Sequence, residues 1–434
     1  MPDQRKAPDS NTTAAPRLRR VERSQVDPNP RKLDDLIGTD HDARLVWDLV
    51  GDLDLEPLYE RIKAVEGHPG RPPVDPKILV ALWCYATVEG VSSARELEKR
   101  CYEQDPFKWL RGGIDVNYHS LADFRVDHGD WLQEQVVGIV ASLMNEGLVD
   151  LNQVGQDGLR VRASAGAGSF KREAKLDEHL QAAQTQWQRL EEEFTEGASL
   201  GMTRQQAARR RAARERLQRL EQAKREHQKV RAAREARKKG DGEQTRASMT
   251  DPEARRMKMP DEGFRPAYNV QFATTLDTLV ITGVDVTNSG SDAGQMDPMV
   301  EQIEEDLGRS PEEYYTDGGF STIEDIEQVS ARGVVVFTPI KEAKRQQEAG
   351  KDPYAAKRGD SPVVAAWRHR MGTEAGKTKY KQRGKCEWSN AQARNRGLQR
   401  FLVRGLKKVK AVALWFALVQ NLFRAVALRA EMTV

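Results

Sequence analysis

The sequence predicts an α/β fold: a mixed sheet flanked by helices, preceded by an all-helical N-terminal unit and interrupted by a charged helical hairpin. Three observations predict it. Short stretches within 154–163, 268–274 and 279–286 alternate apolar and polar residues, which is the period of a strand. Apolar residues recur at helical spacing through 33–150 and again between the later strands. From Phe170 to about Arg246 the chain is dominated by Lys, Arg, Glu, Gln and Ala, a composition that forms helix but little core.

Residues 1–32 are polar and Pro-rich without an apolar run, so they are read as a disordered leader rather than a secretory signal. Within 33–150, Leu45, Val46, Leu49 and Val50 mark one helix. Pro76 opens the next, and Ser92 or Ser93 caps another with Glu96 in the capping-box position. Phe107–Leu110 ends at Gly112-Gly113, and a further helix starts near Ser120. This unit carries Arg95, Lys99, Arg100, Lys108, Arg111 and Arg125, which suit either DNA contact or a solvated face. Residues 151–430 form the sheet-containing unit. It is interrupted over 168–248 by the charged segment, whose Leu180, Trp187, Leu190 and Phe194 and then Leu217 and Leu220 fall in helical steps. Gly197 and Gly201 place the turn of a helical hairpin between them.

After the hairpin, Tyr268–Thr274 and Leu279–Val286 read as two strands joined by a tight turn. A helix over 293–307 follows, with Ser291 and Asp292 in a polar turn that either caps it or faces a site, the cap being preferred. Then come a strand at 313–316, a helix at 322–332, a strand at 334–338, a basic loop over 341–379 and helix from 381 onward. With the arm removed, this is the element order of an RNase H-like fold, a mixed sheet with helices on both faces.

Bulk composition narrows the function. The 69 basic residues nearly cancel the 66 acidic ones, leaving +3, so net charge alone is weak support for a polyanionic partner. Cys84, Cys101 and Cys386 are too few and too scattered for a disulfide framework or a zinc knuckle. The apolar run Ala411–Leu428 is interrupted by Gln420, Asn421 and Arg424, which favours a buried helix over a membrane span.

Three acids stand where rigid elements should bring them together. Asp157 lies in the first strand, Asp317 at the end of the fourth before Gly318-Gly319, and Glu387 on the helix after the fifth. Phosphodiester cleavage with two metals about 4 Å apart needs closely placed carboxylates and little else from the protein. Taken singly, an Asp before Gly is usually a turn and a helical Glu a surface acid. Around Glu387, however, Tyr380, Arg383 and Arg394 are spaced so that, at about 100° per residue, all four share one helical face. Cations aligned with an acid suit a surface that meets phosphates.

The pattern Tyr380-x2-Arg383-x3-Glu387-x6-Arg394 resembles the Tyr-Arg-Glu-Lys signature of bacterial insertion-sequence DDE transposases, with Arg394 where that family has Lys. Val154–Ala165, Asp251–Ala273, Tyr315–Phe320 and Arg394–Leu406 are similar to the same proteins, and Pro73–Leu110 resembles their helical N-terminal domain. The resemblance implies that Asp157, Asp317 and Glu387 are the catalytic metal ligands, with two Mg2+ ions per site and Mn2+ as a substitute. It implies that Tyr380, Arg383 and Arg394 contact DNA. It further implies nicking at terminal inverted repeats, attack of the freed 3′-hydroxyl on target DNA, assembly as a homodimer or higher on paired ends, and a cytoplasmic, nucleoid-associated location without a membrane. An end-binding regulator that does not cut, and a nuclease of the same fold without strand transfer, share most of these features.

Overall fold

The computed structural model describes residues 31–62, 64, 72–196 and 203–432. The leader, apart from its last two positions, lies outside the described residues, as do Gly197 and Gly201.

The chain begins with helices α1 (Asp42–Gly51), α2 (Glu56–Tyr59), α3 (Pro76–Val88), α4 (Ala94–Glu103), α5 (Asp105–Arg111), α6 (Tyr118–Asp127) and α7 (Gly129–Asn145). Their starts are written in side chains. The Asp75 carboxylate accepts Lys77 N ahead of Pro76, Ser93 Oγ accepts Glu96 N, and Asn117 Oδ1 accepts Ser120 N. Gly112 ends α5 at φ +59°, a left-handed turn that glycine adopts without strain. Helix α3 is apolar almost all round and buried from Leu79 to Thr87, so it forms the axis of this unit. Its one large polar edge, the Trp83 indole N–H, donates to Leu121 O at 2.9 Å.

Next come β1 (Gln153–Arg162), β2 (Phe170–Lys171), α8 (Glu173–Glu196), α9 (Arg204–Arg237), β3 (Ala247–Ser248), β4 (Arg255–Lys258), β5 (Phe264–Thr275) and β6 (Ile281–Thr287). Then follow α10 (Met296–Leu307), β7 (Glu313–Tyr315), α11 (Ile323–Ala331) and β8 (Val335–Phe337). The remaining elements are α12 (Ala343–Glu348), α13 (Pro362–Gly372), α14 (Glu374–Tyr380), α15 (Cys386–Asn395) and α16 (Leu406–Met432).

The sheet is mixed. Strand β1 pairs antiparallel with β5 from Val154↔Thr275 to Arg162↔Ala267, and parallel with β7, which pairs parallel with β8. The far edge of β5 takes β4 and then β6, both antiparallel. Reading across, the order is β6 or β4, β5, β1, β7, β8. Strands β2 and β3 pair with each other and close the foot of the α8–α9 arm. The foot of the arm holds a small apolar cluster of Leu176, Ala223 and Ala247, and Ala183, Leu190, Ala213 and Leu220 are buried farther along it.

Helix α16 joins the two halves. It carries an apolar stretch long enough to cross a membrane, but 78% of that stretch is buried against the protein. Its Trp415 indole donates to Arg125 O at 2.9 Å, reaching the N-terminal helices. Its Asn421 accepts Ile281 N at 2.9 Å and donates to Ile281 O at 2.8 Å, satisfying part of the outer edge of β6. The polar residue that interrupts the apolar run is therefore a clamp on the sheet. The core cluster it completes draws residues from Ile37 to Leu422, while a second cluster under β7 and β8 holds Val154 and residues from Met296 to Cys386.

Two local expectations change. The stretch over 341–379 is not a loop but carries α12, α13 and α14. Helix α13 has Ser361 as its cap, accepting Val364 N, and Pro362 in its first turn. The helix expected from 381 opens with a 3-10 segment, Lys381–Lys385, before α15. All three cysteines are buried free thiols.

Candidate catalytic site

Asp157 stands in mid-strand on β1, opposite Phe272. The odd-numbered residues of β1 share the face that α15 covers. Gly155 shows how closely: a Cβ there would lie 2.1 Å from Cys386 Sγ. Only glycine lets the start of α15 sit directly on β1, and that contact sets Glu387, the next residue, where Arg383 can reach both it and Asp157.

The Asp157 carboxylate is 15% exposed. Its Oδ1 accepts Gly158 N at 2.9 Å and its Oδ2 accepts Asn390 Nδ2 at 3.0 Å. Burial pushes its pKa up to about 6; Arg383 opposes the rise and Asp317 adds to it. Asp317 lies just beyond β7, where the chain leaves the sheet. Its Oδ1 accepts Gly319 N at 2.7 Å, and its carbonyl accepts Thr338 Oγ1 at 3.0 Å. Glu387, in the first turn of α15, is 67% exposed.

One cation meets all three. Arg383 places Nη2 3.6 Å from Asp157 Oδ2 and 3.9 Å from Asp317 Oδ2, and Nη1 3.2 Å from Glu387 Oε1. Burial works against its charge, but Asp157, Tyr380 and Asp317 outweigh that and raise its pKa. The Tyr380 hydroxyl donates to Thr316 O at 3.2 Å, which ties the end of α14 to the end of β7. Burial raises the Tyr380 pKa, with Arg383 opposing.

Arg394 is not brought to the acids. It lies seven residues past Glu387 on α15, about 10 Å along the axis at about 1.5 Å per residue, exposed and without a side-chain partner among the described residues.

One site residue escaped the sequence reading, and for a second the less favoured of two readings holds. Asn390, one turn after Glu387, is buried and holds Asp157. Asp292 is not a helix cap: α10 starts at Met296 without a side-chain cap. Instead the Asp292 carboxylate, 9% exposed as a residue, accepts Asn269 Nδ2 at 2.6 Å and Gln271 Nε2 at 2.9 Å, with Arg160 Nη2 at 3.4 Å. It presses on Gly158 from the face opposite Asp157, where a Cβ would lie 2.5 Å from Asp292 Oδ1. A signal was present: Asn269 and Gln271 are two amides on one face of a strand, flanked there by Ala267 and Ala273, and buried amides demand a partner.

The donor set is carboxylate oxygen, the hard ligand type that Mg2+ takes, and the place the acids share already holds a positive group. As the side chains stand, no group of three or more His, Cys, Asp or Glu among the described residues closes on one point tightly enough to hold an ion.

Two family models match the chain. One, described as a transposase domain (DUF772), covers residues 31–127; the other, a transposase DDE domain, covers 241–422. No curated protein and no solved structure matches significantly. The two matches support a DNA transposase in general, an enzyme acting on DNA and of a kind that uses divalent metals. Asp317 and Glu387 fall inside the second match, whereas Asp157 precedes it.

Proposed function

We propose that the chain is an insertion-sequence DDE transposase of the Tyr-Arg-Glu-Lys type. Its RNase H-like catalytic domain spans 151–430, interrupted by the arm at 168–248, and follows a helical domain at 33–150. The strand order supports this reading, with β5 antiparallel and β7 and β8 parallel to β1. The observation that carries the reading is Arg383 within 4 Å of Asp157, Asp317 and Glu387, acids from three distant parts of the chain.

The reaction is two successive displacements at phosphorus. In the first, a water oxygen bonds to phosphorus at the element end while the bond to the 3′-oxygen breaks, and that oxygen leaves as a hydroxyl. In the second, the freed 3′-hydroxyl bonds to a target phosphorus as a target 3′-oxygen leaves. One P–O bond forms for each that breaks, so no energy source is needed. Asp157, Asp317 and Glu387 would hold Mg2+, two ions per site with Mn2+ as a substitute, and the bound metal supplies a hydroxide-like nucleophile and stabilises the leaving oxygen. Asn390 and Gly158 N fix the Asp157 carboxylate, and Gly319 N fixes that of Asp317. Arg383 exchanges its carboxylates for a DNA phosphate, a swap of one anionic partner for another. Tyr380 is anchored beside it, and Arg394 meets the backbone farther along α15. The protein works in the cytoplasm, nucleoid-associated, as a homodimer or higher on paired ends.

The test is Asp157→Asn on plasmid DNA carrying the sequences that flank the gene. Cleavage in Mg2+ is expected to vanish while end binding persists. Equal cleavage by the variant would overturn the site.

A further inference from the structure

A cleft of about 500 Å³ opens where the arm meets the sheet, lined by Phe170, Val230, Arg234, Gln244, Arg246, Arg255, Arg256 and Phe264. Four of these residues are arginines and none is an acid. Two of the arginines are spoken for: Arg234 Nε lies 2.8 Å from Asp241 Oδ2, and Arg255 Nη2 lies 2.5 Å from Glu226 Oε2. Those pairs brace the floor. Arg246 and Arg256 differ, since both are exposed and neither has an ion pair or side-chain hydrogen bond among the described residues. Phe264, which lines the same cleft, is 58% exposed, more than any other Phe or Tyr among the described exposed hydrophobic residues. A strand end that leaves a phenyl ring in water beside two uncommitted guanidiniums is poorly explained by folding. Burying the ring would stabilise the fold, and among the described residues none covers it.

We propose that this cleft is a second DNA-binding subsite, in which Arg246 and Arg256 hold backbone phosphates and Phe264 stacks on the base of an unpaired strand. The chemistry matches: a cationic rim neutralises phosphates, and an aromatic face takes any base. The inference rests on the transposase reading, which supplies DNA as the partner. Its position follows from the sheet register. Arg162 pairs with Ala267, which pairs with Arg255, so β4 begins five residues beyond Asp157 along β1. At about 3.3 Å per residue that is about 17 Å, and Phe264 lies about 10 Å farther. Where the DNA between the acids and the cleft is duplex, at about 3.4 Å per base step, that span corresponds to about five to eight nucleotides.

The experiment measures affinity of the full chain for flanking-sequence DNA across a salt series by fluorescence anisotropy, with blunt duplex and duplex bearing a single-stranded tail. The Arg246→Ala/Arg256→Ala double variant is expected to lower the slope of log K against log salt by about 2, about one per phosphate lost. Phe264→Ala is expected to weaken tailed DNA by about tenfold, leave the slope intact and leave blunt duplex almost unchanged. Both variants should keep the wild-type melting transition, since the side chains are exposed. Wild-type slope and affinity in these variants would overturn the subsite while leaving the transposase reading in place. Failure of the wild-type chain to bind either DNA would overturn the transposase reading itself. Loss of self-association by Phe264→Ala, with DNA affinity unaltered, would overturn the subsite in favour of a contact between copies of the chain.

Discussion

The arm and the acid cluster are both rich in charge, and they use it in opposite ways. Along α8 and α9 the charges are many and largely exposed, and some form pairs, such as Lys175 with Glu178 and Lys224 with Glu173 and Asp177. Such pairs are solvated and screened, so each contributes little. At the sheet there are few charges. Asp157 is 15% exposed and Arg383 20% exposed, and each is held by several partners. Charge density along a sequence therefore marks solubility and shape, while chemistry lies where few charges are confined by rigid neighbours.

That contrast can be broken by experiment. The largest effect is expected at the acids: Asp157→Asn should lower cleavage by at least about 1,000-fold, equivalent to about 4 kcal/mol of barrier, with binding retained, measured by plasmid nicking. Next is Gly155→Val, which drives a side chain into Cys386 and Leu276. Overpacking of this kind costs about 3 kcal/mol, read as a lower urea midpoint, and cleavage should fall with it because α15 carries Glu387.

The third test is pH. The folded protein holds the Asp157 proton more tightly than the unfolded chain, with a pKa of about 6 against an ordinary 3.8. Between those values the folded state binds more protons, so stability falls as pH rises. The contribution is full below 3.8, is lost through about 6, and is bounded at about 3 kcal/mol. Asp157→Asn should flatten that segment of the urea midpoint against pH in metal-free buffer; an unchanged slope would show that Asp157 titrates normally. Fourth, Arg383→Ala leaves three carboxylates without their shared cation and is expected to cost about 2 kcal/mol, less than the loss of a fully buried partner. The smallest effect belongs to the arm: Lys175→Ala should stay within about 0.5 kcal/mol of wild type. A larger loss there would erase the contrast.

Much of the sheet was legible because its strands repeat with period two. Strand β1 and the β5–β6 hairpin lie where alternation places them, and α10 and α11 follow the helical period. Helices α12 to α14 were missed because they are short and weakly amphipathic, although Ser361-Pro362 marks a start. The spacing of Tyr380, Arg383 and Glu387 puts them near one another. Their meeting with Asp157 and Asp317 needs β1 and β7 side by side, a pairing that local pattern does not encode. The 3-10 segment at Lys381–Lys385 also departs from the uniform helical face assumed for the motif. Asn390 was hidden, and the cap was preferred for Asp292 over the site, because a polar residue reveals its partner only once the strands are registered.

The clamp of α16 on both halves has a genetic consequence. Frameshifts between Glu387 and Leu406 would remove Trp415 and Asn421, and with them the contacts to Arg125 and Ile281 that join the N-terminal helices to the sheet. Such a lesion spares every acid of the site, yet it should be as disabling as one that deletes them. A copy of this gene could thus decay from its far end and lose activity while its catalytic codons still read intact.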